Sequence, residues 1–135
     1  MRILVVEDQD SIRKMIEALI GARGYQVTAV STGTKAIDVA STDPPDMVLL
    51  DLMIPGHDGF EVCRRLRSDP TTRDVPVLII SALDDPESRT RAAQAGATAY
   101  YTKPFSPMAL LKEIDRLNEA RPPSVRPKTK SGRPV

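Results

Sequence analysis

The feature that most constrains the fold is a short apolar run, residues 47–50, that ends directly at the carboxylate of Asp51. Four apolar residues followed by a loop that contains Pro55 and Gly56 indicate a strand buried on both faces. A carboxylate at the end of such a strand loses hydration, which is costly unless a positive charge lies nearby. Other parts of the chain must therefore compensate the charge of Asp51.

Similar apolar runs recur along the chain, and a segment with helical spacing of apolar residues follows each of them. Five strands separated by helices and short loops are typical of a parallel sheet with helices on both faces. We therefore predict an α/β fold with a single doubly wound sheet. The predicted strands are residues 2–6, 25–30, 47–50, 75–80 and 98–102.

Polar residues at the predicted helix ends set their boundaries. Asp10 or Ser11 is expected to cap the first helix, because short polar side chains accept hydrogen bonds from the first free backbone N–H groups. The segment 84–87 is predicted to begin the fourth helix, and Gly96 to end it.

Charge divides the chain near position 120. All 18 acidic residues precede it, whereas residues 121–135 carry five basic residues, four of the twelve prolines and no acid. We expect residues 1–120 to form one domain and residues 121–135 a basic, Pro-rich linker or disordered tail. Such a tail could lead to a further domain or end a stand-alone protein.

The cellular compartment is predicted from the apolar runs and the early acidic residues of the sequence. We find no apolar run near the roughly 20 residues that a membrane helix needs, and acids at positions 7 and 8 come too early for a signal peptide. A soluble, cytoplasmic protein with no membrane partner is expected. Cys63 is the single cysteine and falls in a helical apolar pattern, so we expect a packed thiol.

Polar side chains follow four of the five predicted strands. Glu7 and Asp8 follow the first, Asp51 the third, Ser81 the fourth and Lys103 the fifth. In parallel sheets of this class, ligands bind outside the carboxyl ends of the strands. These side chains are therefore expected to meet at one edge of the sheet.

The grouped acids predict a metal site. Three carboxylates within a few Å repel one another, at about 4 kcal/mol for unit charges ~4 Å apart and an effective dielectric of ~20. Lys103 supplies one positive charge, and oxygen ligands without histidine or cysteine favour Mg²⁺ for the rest. A carboxylate beside Mg²⁺, a lysine and the Ser81 hydroxyl is suited to phosphoryl transfer, with Asp51 as nucleophile.

Together these motifs resemble the receiver domain of two-component response regulators. The resemblance covers residues 2–119 and rests on Glu7-Asp8, the segment 50–59 around Asp51, Ser81-Ala82 and the segment 100–105 around Lys103. It implies a flavodoxin-like (βα)5 fold with strand order 2-1-3-4-5. It further implies that the chain is a regulatory domain, not an enzyme, which accepts phosphate on Asp51 from a sensor histidine kinase or phosphotransfer protein.

The resemblance also implies a role for each site residue. Asp8, Asp51 and the backbone carbonyl of Met53 would bind Mg²⁺ directly, with Glu7 acting through water. Ser81 and Lys103 would contact the phosphoryl group, and the Lys103–Pro104 peptide bond is usually cis in this family.

The same family pattern implies a conformational switch. Tyr100 would move inward as the Ser81 hydroxyl moves toward the phosphate, which would change a face formed by the fourth helix, fifth strand and fifth helix. That face could also form a homodimer, whereas nucleic-acid binding would require an output domain. Met53 and Leu83 occupy the positions that tune water access, and both are apolar here, so a long-lived phosphoryl group is expected.

Two other functions are weighed against this one. A Mg²⁺-dependent phosphohydrolase with Asp51 as nucleophile would share the acid, the metal and the lysine. Phosphatases of the haloacid-dehalogenase type carry a second Asp two residues later as general acid, where this chain has Met53. Nucleotide or flavin binding needs a Gly-rich or hydroxyl-rich loop after the first strand, where this chain has residues 7–10 with three acids.

His57 is expected to be a solvated loop residue.

Overall fold

The computed structural model describes residues 1–120, so the predicted linker or tail at 121–135 lies outside the described residues. Within this range the chain forms one five-stranded parallel sheet with the order β2-β1-β3-β4-β5. The predicted fold class and strand order are therefore confirmed. The strands are β1 (Arg2–Val6), β2 (Gln26–Val30), β3 (Met47–Leu50), β4 (Val77–Ser81) and β5 (Ala99–Thr102).

One helix follows each strand, as the alternating pattern predicted. None of the helices within residues 1–120 is both long and apolar enough to cross a membrane. The helices are α1 (Asp10–Ala22), α2 (Gly33–Thr42), α3 (Gly59–Ser68), α4 (Pro86–Ala95) and α5 (Pro107–Ala120).

Two apolar cores lie on opposite faces of the sheet. One contains Ala36 from α2, Val62 from α3 and Ala92 from α4. The other contains Ile16 from α1 and Ile114 from α5. Alternate residues of β1, β3 and β4 contribute to each core, because successive side chains of a strand point to opposite faces. The sheet is thus covered on both sides and offers its strand ends to a ligand.

Side-chain caps begin four of the helices, including α5, where Ser106 Oγ accepts from the Ala109 N–H at 3.2 Å. Thr32, Asp58 and Asp85 each accept a hydrogen bond from a backbone N–H in the first turn of α2, α3 and α4. Gly96 ends α4 with φ of 104°, a left-handed conformation that glycine adopts without strain. These boundaries agree with the prediction for α4.

The prediction that Asp10 or Ser11 caps α1 was wrong. The residue at the cap position is Gln9, and its side chain makes no capping hydrogen bond. Asp10 already belongs to the first turn, and its carboxylate forms an ion pair with Arg13 one turn later. The Asp10 carboxylate therefore pairs with Arg13 and does not cap the helix.

β1 and β3 have the predicted bounds, whereas β2, β4 and β5 differ from the prediction by one or two residues. β4 begins at Val77 and includes Ser81, which was expected just after the strand. Pairing with β5 explains the difference, because Ser81 aligns with Thr102 and its carbonyl accepts the Lys103 N–H at 2.8 Å. Ser81 is therefore held by the sheet itself.

Candidate functional site

Three carboxylates meet at the carboxyl edge of the sheet. Glu7 and Asp8 follow β1, and Asp51 follows the adjacent strand β3, whose Leu50 aligns with Val6. One carboxylate oxygen of each acid lies within 4.8 Å of one from each of the others. Glu7 and Asp51 are 2% and 5% exposed, whereas Asp8 is exposed. The group is thus buried on one side and open to solvent at Asp8.

Lys103 joins the group from the end of β5. Its Nζ donates hydrogen bonds of 2.8 Å to Oε1 of Glu7 and 2.8 Å to Oδ2 of Asp51. The Lys103–Pro104 peptide bond is cis, as the family pattern predicts. The ammonium therefore bridges two of the three carboxylates.

Both oxygens of Asp51 have defined partners. Oδ2 accepts from Lys103, and Oδ1 accepts from the backbone N–H of Met53 at 3.1 Å. The backbone N–H of Asp51 donates to the Val6 carbonyl at 3.0 Å, which continues the pairing of β3 with β1. The carboxylate is consequently held in one orientation before any ligand arrives.

Burial and hydrogen bonding shift two pKa values in this group. Burial is the largest influence on Glu7 and raises the pKa of its carboxyl group, although the hydrogen bond from Lys103 opposes this. Burial alone would lower the pKa of Lys103, but its hydrogen bonds to Asp51 and Glu7 outweigh burial and raise that pKa. Lys103 is therefore a stable cation at neutral pH.

The donor set fits a hard divalent cation. Glu7, Asp8 and Asp51 offer carboxylate oxygens only, and one ammonium cannot neutralise three carboxylates. Their mutual repulsion would be on the order of a few kcal/mol in an intermediate dielectric. Oxygen ligands with an open side that admits water match the preference of Mg²⁺. The residues of the site therefore suit that ion.

Ser81 and Tyr100 are linked through the backbone of Leu83. The Ser81 side chain is fully buried, and its Oγ accepts from the Leu83 N–H at 3.2 Å. The Tyr100 hydroxyl donates to the Leu83 carbonyl at 2.7 Å, and the half-buried ring packs against the core under α4. Tyr101 lies on the opposite face of the sheet. A movement of the Ser81 hydroxyl would thus disturb Leu83, to which the Tyr100 hydroxyl is also hydrogen-bonded.

Arg13 and Arg89 make contacts near this edge that the sequence did not predict. Arg13 donates from Nη1 to the Glu7 carbonyl at 2.9 Å and so braces the turn that carries the acids. Arg89 lies over the Tyr100 ring, with 4.7 Å from the guanidinium carbon to the ring centroid, and donates to Asp84 at 2.9 Å. Neither contact leaves a sequence signal, because the partners are a backbone carbonyl and a ring on a separate element.

The expectations for His57 and Cys63 had different outcomes. Cys63 is buried, and its Sγ lies 3.3 Å from the Ala95 carbonyl, so the packed thiol is confirmed. His57 lies in the loop after β3 but is half-buried, because its backbone packs closely against Gly33 at the start of α2. The prediction for His57 was therefore right about the loop but wrong about full exposure to solvent.

Comparison with known proteins identifies the family of the chain. The family model of the response regulator receiver domain matches residues 3–115. The chain belongs to the receiver domain family. It is 42% identical over 116 residues to the response regulator PleD of Caulobacter vibrioides, a match that covers 86% of this chain and 26% of PleD. It is 40% identical over 117 residues to the response regulator MprA of Mycobacterium avium, covering 87% of this chain and 50% of MprA.

Solved receiver domains share the fold. The beryllofluoride-activated receiver domain of RstA from Klebsiella pneumoniae superposes with a TM-score of 0.81 at 31% identity, covering 90% of this chain and all of that one. A receiver domain of a sensor histidine kinase from Pseudomonas aeruginosa gives a TM-score of 0.79 at 33% identity, covering 85% and 94%. That structure holds a magnesium ion coordinated in its active site cleft.

These findings place the chain among receiver domains of two-component response regulators. They give no support to the phosphohydrolase alternative, since the matched proteins are regulators and receiver domains. The chain spans between about a quarter and a half of the length of the curated relatives it matches.

Proposed function

We propose that this receiver domain is a phosphorylation-dependent switch that accepts a phosphoryl group on Asp51. The meeting of Glu7, Asp8, Asp51 and Lys103 at one sheet edge is the observation that supports the proposal. The buried carboxylate of Asp51 has both oxygens engaged and lies beside an open, acidic surface. Such a carboxylate is a preorganised nucleophile.

The metal-binding role is assigned to the three acids and one carbonyl. Asp8, Asp51 and the backbone carbonyl of Met53 would bind Mg²⁺ directly, and Glu7 would act through water. The ion would neutralise charge that develops on the phosphoryl oxygens. The proposed attack by a carboxylate oxygen of Asp51 uses no histidine as a general base.

The transfer itself exchanges one bond to phosphorus for another. A carboxylate oxygen of Asp51 forms a bond to phosphorus while the bond between phosphorus and a histidine nitrogen of the donor breaks. The electron pair of the broken bond stays on the imidazole. Lys103 and the Ser81 hydroxyl would then each contact a phosphoryl oxygen, which places a cation and a donor where negative charge accumulates.

The switch follows from the link between Ser81 and Tyr100. When the Ser81 hydroxyl turns toward a phosphoryl oxygen, the Leu83 N–H loses its acceptor and the loop before α4 can rearrange. The Tyr100 hydroxyl is bound to the same residue, so the ring position and the surface of α4, β5 and α5 would change with it.

The partners follow from this chemistry. The phosphoryl donor would be a sensor histidine kinase or a phosphotransfer protein of the cytoplasm, and the face of α4, β5 and α5 could form a homodimer. Residues 1–120 would form the receiver domain and residues 121–135 a linker. Nucleic acid would be a partner only if an output domain follows that linker.

Chemical phosphorylation tests the proposal directly. Acetyl phosphate with Mg²⁺ is expected to label the protein with one phosphoryl group per chain, measured by intact mass. Asp51→Asn should abolish labelling because it removes the nucleophile. Asp38→Asn is the matched control, since Asp38 is an exposed acid on α2 away from the site.

Three outcomes would count against the proposal. Labelling that is independent of Mg²⁺, or that persists in Asp51→Asn, would contradict the proposal. Labelling that is equally lost in Asp38→Asn would show a general loss of folding and would not support Asp51 as the acceptor.

A further inference from the structure

The loop that joins β3 to α3 carries the proposed backbone ligand. It runs over residues 51–58, and the carbonyl of Met53 within it would bind Mg²⁺. Leu52 and Ile54 are buried in the core on either side of Met53, but the Met53 side chain itself is 58% exposed and makes no core anchor. A carbonyl ligand is positioned by backbone conformation alone, and other contacts must hold this loop in place.

Gly33, the first residue of α2, supplies such a contact. Its backbone N–H donates to the Pro55 carbonyl at 2.9 Å. A Cβ atom built on Gly33 would lie 1.9 Å from the backbone oxygen of His57 and 2.8 Å from its carbonyl carbon. Real Cβ atoms do not approach backbone atoms this closely, so any side chain at Gly33 would displace the loop.

The requirement at Gly33 is for space and not for an unusual backbone angle. Gly24, Gly56 and Gly96 have positive φ among the described residues, and Gly33 does not. Conformational freedom therefore cannot explain this glycine. The close approach of the α2 backbone to residues 55–57 explains it.

Two neighbouring contacts act on the same loop. Gly56 has φ of 82°, and a Cβ built on it would lie 2.8 Å from Oγ1 of Thr34, so the loop also rests on the second residue of α2. At the other end of the loop, a Cβ on Gly59 would lie 2.5 Å from the Leu52 Cα. The loop is thus held between the first turns of α2 and α3.

We propose that Gly33 is a positioning residue for the metal site, because its missing side chain lets α2 hold the loop that carries the Met53 carbonyl. This inference rests on the proposed function. A metal ligand must lie within about 0.2 Å of its ideal distance, and Mg²⁺ tolerates little departure from octahedral geometry. A displaced loop would therefore lower Mg²⁺ affinity while Glu7 and Asp8, which follow β1, stay in place.

The test adds one methyl group at two glycines. Gly33→Ala should raise the Mg²⁺ concentration at half-saturation by about 10-fold to 100-fold, the usual cost of disturbing groups that orient metal ligands. Gly21→Ala is the matched control, since a Cβ at that position in α1 meets no atom within 4 Å. Half-saturation is measured from amide resonances during Mg²⁺ titration, and unfolding by urea without Mg²⁺ gives stability separately.

Phosphorylation gives a second readout that a purely structural role would not move. With Gly33→Ala, labelling by acetyl phosphate should need more Mg²⁺ but reach the wild-type rate once Mg²⁺ saturates. A variant that loses stability yet keeps the wild-type half-saturation would overturn the positioning role.

A second variant covers the case in which Gly33→Ala does not fold. Thr34→Ala removes the contact to Gly56 without adding bulk, and it should weaken Mg²⁺ binding by a smaller factor. Unchanged affinity there would also overturn the inference. If the wild-type chain itself shows no saturation with Mg²⁺, the proposed function fails; if wild type and Gly21→Ala saturate and Gly33→Ala matches them, only the role of Gly33 fails.

Discussion

At the scale of single residues, charge compensation explains why a buried acid such as Asp51 is tolerated. Its neighbour Glu7 is buried and Lys103 is partly buried, and Lys103 donates hydrogen bonds to both acids. One ammonium between two carboxylates leaves the group acidic. That residual negative charge would favour a bound cation, which the proposed transfer of a phosphoryl group to Asp51 requires.

The side chains around Asp51 should also set how long the phosphoryl group lasts. Met53 and Leu83 are apolar and cannot orient an attacking water, so the acyl phosphate should persist far beyond seconds at neutral pH. Met53→Asn places an amide there and should accelerate phosphate release. The measurement is loss of label after the phosphoryl donor is removed.

Met108→Asn is the control for this comparison. Met108 on α5 is 56% exposed, close to the 58% of Met53, but it lies outside the site. A wild-type half-life of seconds would contradict the prediction. So would equal acceleration by both substitutions.

At the scale of elements, α5 is held to the opposite end of the sheet by a half-buried phenol. The Tyr25 hydroxyl donates to Asp115 of α5, and Arg23 pairs with the other oxygen of that carboxylate. Burial is the largest influence on Tyr25, and with the hydrogen bond to Asp115 it raises the pKa of the phenol above its ordinary value of 10.0. The contact ties the last described helix to the segment between α1 and β2.

This contact predicts a loss of stability at alkaline pH. Because the folded state keeps the Tyr25 proton more tightly than the unfolded state, the contribution is complete below pH 10 and declines as the pH rises above it. Tyr25→Phe should be less stable than wild type at pH 8 but should show a shallower decline toward pH 11. Urea unfolding at a series of pH values measures both.

Tyr101→Phe provides the comparison: burial also raises the pKa of that phenol, so its decline should be shallower as well, but the variant loses no hydrogen bond to α5 and should be less destabilised at pH 8 than Tyr25→Phe. Parallel declines for wild type and Tyr25→Phe would refute the proposed linkage.

At the scale of the whole molecule, metal binding at this site should stabilise the folded state. Glu7, Asp8 and Asp51 are brought together only in the folded state, so Mg²⁺ should bind that state selectively. At a Mg²⁺ concentration 100 times the dissociation constant, the gain in unfolding free energy should be about 2.7 kcal/mol. Thermal or urea unfolding with and without Mg²⁺ measures the gain.

Asp8→Asn should abolish most of this gain while leaving the metal-free protein at least as stable as wild type. Asp8 is exposed, and its removal relieves repulsion from the other two carboxylates. Asp38→Asn should retain the full gain. Equal stabilisation of Asp8→Asn and wild type would show that Mg²⁺ acts elsewhere.

Local patterns predicted the α/β class and placed the candidate site residues at one edge of the sheet, whereas the strand order was implied by the family resemblance. Apolar periodicity distinguished strands from helices, and acids, a hydroxyl and an amine at successive strand ends indicated one edge of a parallel sheet. Boundaries were less accurate, because sheet pairing extended β4 to Ser81 and ion pairing replaced the expected cap at α1. These choices depend on neighbours that a local pattern does not include.

Neighbouring residues alone were enough to predict the periodicity of the strands and helices and the chemical groups at the strand ends. The folded arrangement was needed to show that Lys103 bridges Glu7 and Asp51, that Arg89 covers Tyr100, and that Gly33 faces the backbone of His57. These contacts join separate elements, and Lys103 and Glu7 stand 96 positions apart. Their distances are set by how the helices pack on the sheet, and no local pattern encodes that packing.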